Sequence, residues 1–490
     1  MRVPLDPGSD VPLFRQIEAH LRRAIDRGRL PAGSRLPSTR SLAQDLGVNR
    51  LTVESAYGEL TVDGVVAARP GSGTYVLEAP PRPPAPFPRV EPRCQREALA
   101  RLGLAPAPGS TAARAGGRDR RGVVALDGGS SDPSLFPVAS FRKVVQRIMR
   151  RDGSAAFGYG EPGGRRGLRD AVARLLTAQG LPATAEQVLV TGGSQRAIAL
   201  VARLLLRPGE TVAVEEPTYG GALELFRAHG LRVVGVATDE QGLRVDALEA
   251  VVRRERPRLL YVVPTFQNPT GACLPAARRQ AVLALAARHG LPVLEDDYVG
   301  DLRFEGRAQA ALKASDPGGL VVYVSTFSKM LMPGLRVGFL VADGPIREAL
   351  LRLQHAEEIG PGELFQAAVE EFVTVGRYQS HLRRMVRHYR RRRDAALGAV
   401  RRHLPGCVVR APTGGLFLWV RLPPGVRSDR LLPRAEEEGV RFAPGGLFFP
   451  VPEDGAPFVR LCFAAHDPGA LEEGVRRLGV AVGRARRSAR

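Results

Sequence analysis

The chain has 490 residues, 44% hydrophobic and 25% charged, which excludes a disordered protein and provides for two or three domains with sizeable cores. The formal charge is +21, yet 68 of the 71 basic residues are arginine, and lysine occurs only at Lys143, Lys313 and Lys329. No run approaches the roughly 18 to 20 apolar residues of a membrane helix, MRVPLDPGSD is no secretion signal, and Cys94, Cys273, Cys407 and Cys462 are scattered, so a cytoplasmic protein with reduced cysteines, no metal and no membrane is expected.

Between Val11 and Leu30, Phe14, Ile17, Leu21 and Ile25 recur three or four apart, which predicts an amphipathic helix stopped near Gly28 and Pro31. Ser38 suits the cap of a second, short helix with Leu42, Ala43 and Leu46 inward. Asn49 suits the cap of a third, with Val53, Ala56, Tyr57 and Leu60 on its core face. Helix, tight turn and helix read as helix-turn-helix, and Val65–Ala67 and Thr74–Leu77, flanking a basic glycine-rich tip from Arg69 to Gly73, read as a hairpin wing. From Ala79 to about Gly122 periodicity disappears. Seven prolines between Pro80 and Pro92 precede a Gly/Ala/Arg stretch, the composition of a linker. Beyond it, VLVT before Gly192, VAVEE before Pro217, LLYVVP before Thr265, VLEDDY, and VVYVS before Thr326 alternate with helical patterns. They predict a mostly parallel α/β sheet with functional loops at the strand ends. GGLFLWV and FVRLCFA imply a smaller α+β portion near the C-terminus.

Charge is unevenly spread. Residues 1–78 hold 10 arginines against 9 acids, whereas residues 383–393 alone hold seven arginines, to be read either as a solvated helix face or as an aid to DNA binding.

In a chain so saturated with arginine, a retained lysine points to chemistry a guanidinium cannot perform, above all imine formation with an aldehyde. Lys143, in a helical stretch, and Lys313, near a Ser-Asp-Pro-Gly turn, are read as solvated surface lysines. Lys329 differs because it lies in STFSKMLMPGLRVG, residues 325–338, where Thr326, Ser328 and Arg336 offer phosphate donors beside an amine. Upstream, EDDY at residues 295–298 ends a strand with a carboxylate suited to a pyridinium nitrogen, and Asn268 opens NPTG at another strand end. TGGSQ, residues 191–195, brings backbone N–H groups and the hydroxyl of Ser194 to a strand-to-helix corner, and Tyr219 in EEPTYG can lie on an aromatic ring.

In this order and spacing the motifs resemble the fold type I aminotransferases that use pyridoxal 5'-phosphate, over about residues 125–475. The resemblance implies Lys329 as the catalytic, imine-forming lysine and Asp296 as partner of the ring nitrogen, with Asp297 the alternative of the pair. It further implies Asn268 and Tyr298 at the ring hydroxyl, Ser194, Gln195, Thr326, Ser328 and Arg336 at the phosphate, Tyr219 stacked on the ring, and Arg460 in FVRL at an amino-acid carboxylate. At the other end, LFRQI, GSRLPSTRSLA, LGVNRLTV, AY and GSGTYV resemble the winged helix of GntR-type regulators, and the whole chain is similar to the MocR/GabR transcriptional regulators. DNA contacts are expected from Arg35, Ser38, Arg40, Asn49, Arg50 and Thr52 around the second and third helices, and from Arg69, Gly71 and Gly73 on the wing.

The fold class implied is thus a winged helix-turn-helix (α+β) at residues 1–78, a flexible Pro/Arg-rich linker at 79–122, and an α/β aminotransferase fold type I domain at 123–490. The last divides into a large part, about 123–375, and a small α+β part, about 376–480. The function implied is a homodimeric, head-to-tail, pyridoxal-phosphate-dependent regulator that binds double-stranded operator DNA and senses an amino compound or the cofactor itself. The alternative is a working aminotransferase with an appended DNA-binding domain.

Overall fold

The computed structural model describes residues 3–6, 8–9, 11–69, 71–77, 122–129 and 131–488; the expected linker, apart from Gly122, and Cys94 lie outside them. The chain forms two units, one within residues 1–93 and one within residues 94–490.

In the first unit, α1 (Leu13–Asp26) buries Ile17 and Leu21 against α3 (Arg50–Val62), whose Val53, Ala56, Tyr57 and Leu60 face inward as the spacing predicts. The turn into α2 (Thr39–Leu46) is set by Ser38, whose Oγ accepts from the Ser41 N–H at 3.1 Å. Gly47, at φ +65°, ends α2 in a left-handed cap, and Asn49 Oδ1 caps α3 by accepting from the Leu51 N–H at 2.9 Å. Strands β1 (Val66–Arg69) and β2 (Gly73–Val76) pair antiparallel from Val66↔Val76 to Arg69↔Gly73. The ladder runs closer to the tip than the apolar pattern suggested, because Gly73 at φ +121° lets pairing continue to the turn.

The second unit opens with β3 (Val124–Ala125), α4 (Val138–Asp152) and α5 (Arg166–Ala178). Strands β4 (Val188–Thr191), β5 (Thr211–Glu216), β6 (Arg232–Asp239), β7 (Gly242–Leu243), β8 (Leu259–Val262), β9 (Val293–Asp297), β10 (Val321–Thr326) and β11 (Gly338–Val341) build one sheet in the order β4-β11-β10-β9-β8-β5-β6-β7. Strands β10, β9, β8, β5 and β6 run parallel as expected, while β11 is antiparallel to both neighbours. Helices α6 (Ser194–Leu205), α7 (Gly220–Ala228), α8 (Val245–Glu255) and α9 (Ala276–His289) connect these strands. Because successive side chains alternate faces, Leu259, Tyr261 and Leu294 enter one core and Leu260, Val262 and Val293 another.

Helices α10 (Gly344–Glu358) and α11 (Glu363–Thr374) lead to the 27-residue α12 (Arg377–His403). The remaining strands are β12 (Val408–Val409), β13 (Phe417–Arg421), β14 (Val440–Arg441), β15 (Ala443–Pro444) and β16 (Phe458–Cys462), with α13 (Ser428–Glu437) among them and α14 (Pro468–Ser488) last. Four of these strands form a sheet in the order β12-β13-β16-β15, and β14 pairs in parallel with β3.

Two expectations about charge are corrected. Lys143 is exposed, but Lys313 is 8% exposed and its Nζ pairs with Asp343 and, at 3.5 Å, with Asp316, so it is a buried structural cation rather than a solvated lysine. Within the arginine run, Arg392 and Arg393 are also buried, holding Asp132 at 2.5 Å and Glu305 at 2.6 Å.

Candidate functional site

The sheet's central strands end at one cluster. Thr326 closes β10, and its Oγ1 donates to Ser328 Oγ at 3.0 Å while accepting from the Ser328 N–H at 3.1 Å, a turn that turns Lys329 back toward the sheet. Lys329 Nζ donates to the Gly129 carbonyl at 2.7 Å, and the Lys329 carbonyl accepts from Ser131 Oγ at 2.6 Å. Burial brings the ammonium down to about 8, helped by the cations of Arg460 and Arg336.

Asp296 is 3% exposed on β9. Its Oδ2 accepts from the hydroxyl of fully buried Tyr261 at 2.7 Å, whereas Oδ1 has no hydrogen-bond partner among the described residues. Burial raises the carboxyl to about 7, opposed by the Tyr261 hydrogen bond. Asp297, one residue on, points to the opposite face and accepts from the Tyr323 hydroxyl at 2.8 Å. The alternation of β9 therefore puts the two carboxylates on opposite faces, Asp296 with Tyr261 and Asp297 with Tyr323.

An anion seat lies at the start of α6. Gly193, at φ +103°, precedes the helix, and no side chain caps that end. Arg336 Nη2 donates to the Gly192 carbonyl at 2.8 Å, and a Cβ on Gly193 would fall 2.5 Å from the same nitrogen. Only glycine lets the guanidinium close over helix N–H groups at Ser194 and Gln195, a pairing suited to a phosphate. The Gln195 side chain is committed elsewhere: its Nε2 donates to the Gly221 carbonyl at 2.7 Å, leaving its main chain for the anion.

Asn268 and Arg460 meet directly. Arg460 Nη1 donates to Asn268 Oδ1 at 3.0 Å and Nη2 to the carbonyls of Asp127 and Gly128 at 3.1 and 3.0 Å, while the guanidinium lies 4.0 Å from the Phe417 ring centroid and 4.7 Å from that of Phe448. The same contact that fixes the arginine leaves Asn268 Nδ2 as the amide's donor. Tyr298 donates to the Phe266 carbonyl at 3.0 Å. Tyr219 stands just before α7, half-buried, its hydroxyl pushed up to about 12 by burial; a Cβ on Gly221 would collide with its ring.

Sequence reasoning missed Tyr261, Gly129 and Ser131. Tyr261 passes for a core residue within LLYVVP, and the other two lie about two hundred residues from the lysine they hold.

In the first unit, Ser38 and Asn49 spend an acceptor on helix caps, which leaves the Ser38 O–H and the Asn49 amide N–H as donors. Arg35, Arg40 and Arg50 are set around these caps, Arg40 and Arg50 exposed, with Arg50 leaning on Glu54 at 2.7 Å, and Thr52 is half-buried. On the wing, the Arg69 guanidinium lies 4.9 Å from the Tyr75 ring centroid, and Gly71 and Gly73 have positive φ. Leu51, 67% exposed on α3, also escaped the sequence reading, and a bare leucine on a reading helix suits a thymine methyl.

The family model "Aminotransferase class I and II" matches residues 127–478, and that for "Bacterial regulatory proteins, gntR family" matches residues 13–76. The HTH-type transcriptional regulator TauR of Rhodobacter capsulatus is 34% identical over 484 residues, 98% of either chain. The probable rhizopine catabolism regulatory protein MocR of Rhizobium meliloti is 32% identical over 482 residues, 97% of this chain and 94% of that one. The crystal structure of LysN, an α-aminoadipate aminotransferase from Thermus thermophilus complexed with N-(5'-phosphopyridoxyl)-L-leucine, superposes with a TM-score of 0.73 at 36% identity. It covers 80% of this chain and 98% of that one.

Tyr261→Phe deletes one hydrogen bond to a buried carboxylate and nothing else, so pyridoxal phosphate affinity falls about tenfold, equivalent to roughly 1.5 kcal/mol, with the fold intact. An absorbance titration of the apo-protein checks this, and an unchanged affinity contradicts the role given to Tyr261.

Proposed function

The chain belongs to the MocR-type transcriptional regulators, a gntR-family winged helix joined to a fold type I aminotransferase domain, and we propose that it senses an amino compound, or pyridoxal phosphate itself, at Lys329 and reports it to DNA. Its cofactor is pyridoxal 5'-phosphate. The observation that carries the residue assignments is the bare Oδ1 of Asp296, a buried carboxylate oxygen still lacking a donor on the face it shares with Tyr261. When bound, the cofactor supplies an aldehyde that captures primary amines and an electron-poor ring that stabilises adjacent negative charge.

Each side chain has a task toward that group. Asp296 Oδ1 holds a proton on the ring nitrogen, Tyr261 keeps Oδ2 oriented, and Tyr219 covers one ring face. Arg336, the Ser194 hydroxyl, the N–H groups opening α6 and the hydroxyls of Thr326 and Ser328 take the phosphate. Asn268 donates its amide N–H to the ring oxygen, with Tyr298 beside it. Lys329 presents an amine that at neutral pH is far more often unprotonated than a solvated lysine. Arg460, aimed by Asn268 and two carbonyls, takes the carboxylate of an amino-acid effector by exchanging part of those contacts for it. At the other end, Arg40, Arg50, the Ser38 hydroxyl and Asn49 grip phosphates while α3 enters the major groove, and Arg35, Arg69 and the Gly71–Gly73 tip follow the adjacent backbone.

The working unit in this reading is a head-to-tail homodimer, since aminotransferase folds usually pair and two heads match two half-sites. It acts beside the chromosome in the cytoplasm; among the described residues no helix is long and apolar enough to cross a membrane. An effector changes DNA binding only through unequal affinity for two arrangements of the protein. The regulator reading is favoured over a plain aminotransferase by the regulators named above, which match the chain over nearly its whole length, reading head included.

Two experiments test this. Lys329→Ala, washed with a competing amine, loses the near-visible absorbance of bound cofactor; in the unaltered apo-protein, loading accelerates about tenfold per pH unit toward pH 8 and levels off above it, because only the unprotonated amine reacts. Retained absorbance, or a rate still climbing beyond pH 10, removes Lys329 from the role. Arg40→Ala and Arg50→Ala each weaken binding to the DNA upstream of the protein's own gene by about tenfold in a mobility-shift titration at moderate salt, and unchanged affinity means the recognition surface lies elsewhere.

A further inference from the structure

Many exposed arginines of the second unit answer a carboxylate. Arg253 meets Glu249 at 2.7 Å, Arg254 meets Glu255 at 2.7 Å, and Arg288 meets Glu249 at 3.5 Å. Helix α12 departs from this habit. Between residues 383 and 393 its two buried arginines are paired, but the five exposed ones there, Arg383, Arg384, Arg387, Arg390 and Arg391, reach a carboxylate only once among the described residues, where Arg390 lies 3.9 Å from Glu305.

Arg383, Arg387 and Arg391 recur every fourth residue, which aligns them on one stripe about 12 Å long, with Arg384 and Arg390 alongside. Like charges at that spacing destabilise a helix. His388, within the stripe, registers the field: its pKa is lowered by burial first and then by the guanidiniums of Arg392, Arg384, Arg391 and Arg387. Such a ridge is tolerated where a polyanion neutralises it.

The nature of the polyanion follows from what the ridge lacks and what the reading head lacks. Arginine anchors a protein interface where it enters a packed, desolvated pocket beside aromatic side chains, whereas between residues 383 and 391 every fully exposed side chain is an arginine on one helix and the one tyrosine is buried, a row of charge without an exposed aromatic beside it. The reading head has 10 arginines against 9 acids, little for the phosphate term that dominates DNA affinity. We propose that the Arg383/Arg387/Arg391 ridge of α12 is a second contact for duplex DNA, gripping the phosphate backbone without reading its sequence. It adds affinity and salt dependence to a head that supplies selectivity.

The test uses the full chain loaded with pyridoxal phosphate and a 60-base-pair duplex of random sequence, with affinity measured by fluorescence anisotropy across a salt series. Replacing Arg383, Arg387 and Arg391 together by Gln lowers the magnitude of the log Kobs against log[salt] slope by about 2 to 3 and weakens binding on the order of a hundredfold at about 0.1 M salt. The matched variant Arg253→Gln/Arg254→Gln/Arg288→Gln removes the same charge elsewhere and leaves both nearly unchanged. Equal losses in the two triples would reduce the effect to net charge, and no loss in the first would assign the ridge to solvent or to an acidic protein; either result overturns the proposal. Should the triple fail to fold, Arg387→Gln, which has no hydrogen bond or ion pair to lose among the described residues, carries the test with a slope change of about 0.9. Arg40→Ala and Arg50→Ala probe the head separately: they weaken binding to the upstream DNA by the same factor whether or not the ridge carries its Gln triple, so failure of one reading does not imitate failure of the other.

Discussion

A carboxylate with one oxygen tied to a phenol and the other bare, held in the interior of a sheet, is an unfavourable thing for a folded chain to keep. Burial, only partly offset by the Tyr261 hydroxyl, moves Asp296 from the usual carboxylate range to about 7. The arrangement makes physical sense when a cationic N–H meets Oδ1, since the pair then neutralises itself in a low dielectric. The other parts of the site are placed with respect to that oxygen: the lysine on the neighbouring strand end, the arginine-over-glycine seat for an anion, and the tyrosine before α7. The parallel register of β8, β9 and β10 sets them out, with Tyr261 opposite Leu294 and Val324 opposite Asp296.

Much of this was legible in the sequence because chemistry in an arginine-saturated chain is conspicuous. Lys329 stood out by the absence of other lysines, and the Gly-Gly-Ser corner and Arg336 stood out by their motifs. The fold followed from strands whose apolar runs end in Gly, Pro or hydroxyl residues, and the winged helix from Ser38 and Asn49 as caps. Composition could not separate buried cations from solvated ones. Lys313 reads as a surface lysine until its carboxylate partner Asp343, thirty residues away, is brought to it, and Arg392 and Arg393 look like their five exposed neighbours until the packing of α12 is known. Tyr261 was hidden for a different reason: a strand buried on both faces has no polar alternation to mark the one side chain with a hydrogen bond to give. The two-residue period of β9 puts Asp296 and Asp297 on opposite faces, which is why the proposed reading takes Asp296.

The +21 charge changes meaning in the same light. Ion pairs occupy many of the arginines without reducing that excess, and in the proposed reading a head near neutrality holds DNA by where Arg40 and Arg50 stand. The ridge on α12 is left for the backbone of a polyanion. In the proposed reading selectivity, affinity and sensing fall to different elements of one chain.

That sensing and DNA binding are linked through Lys329 is the central claim, and borohydride tests it most directly. Reduction fixes the cofactor to Lys329 Nζ through a bond no amine can exchange, leaving Asp296, Arg336 and the reading head as they were. The affinity of the loaded protein for its own upstream DNA is then titrated with a panel of amines before and after reduction. The account predicts that an active amine shifts DNA affinity at least severalfold before reduction and not at all after it. An equal shift in the reduced protein would show that the signal enters elsewhere and would contradict the account.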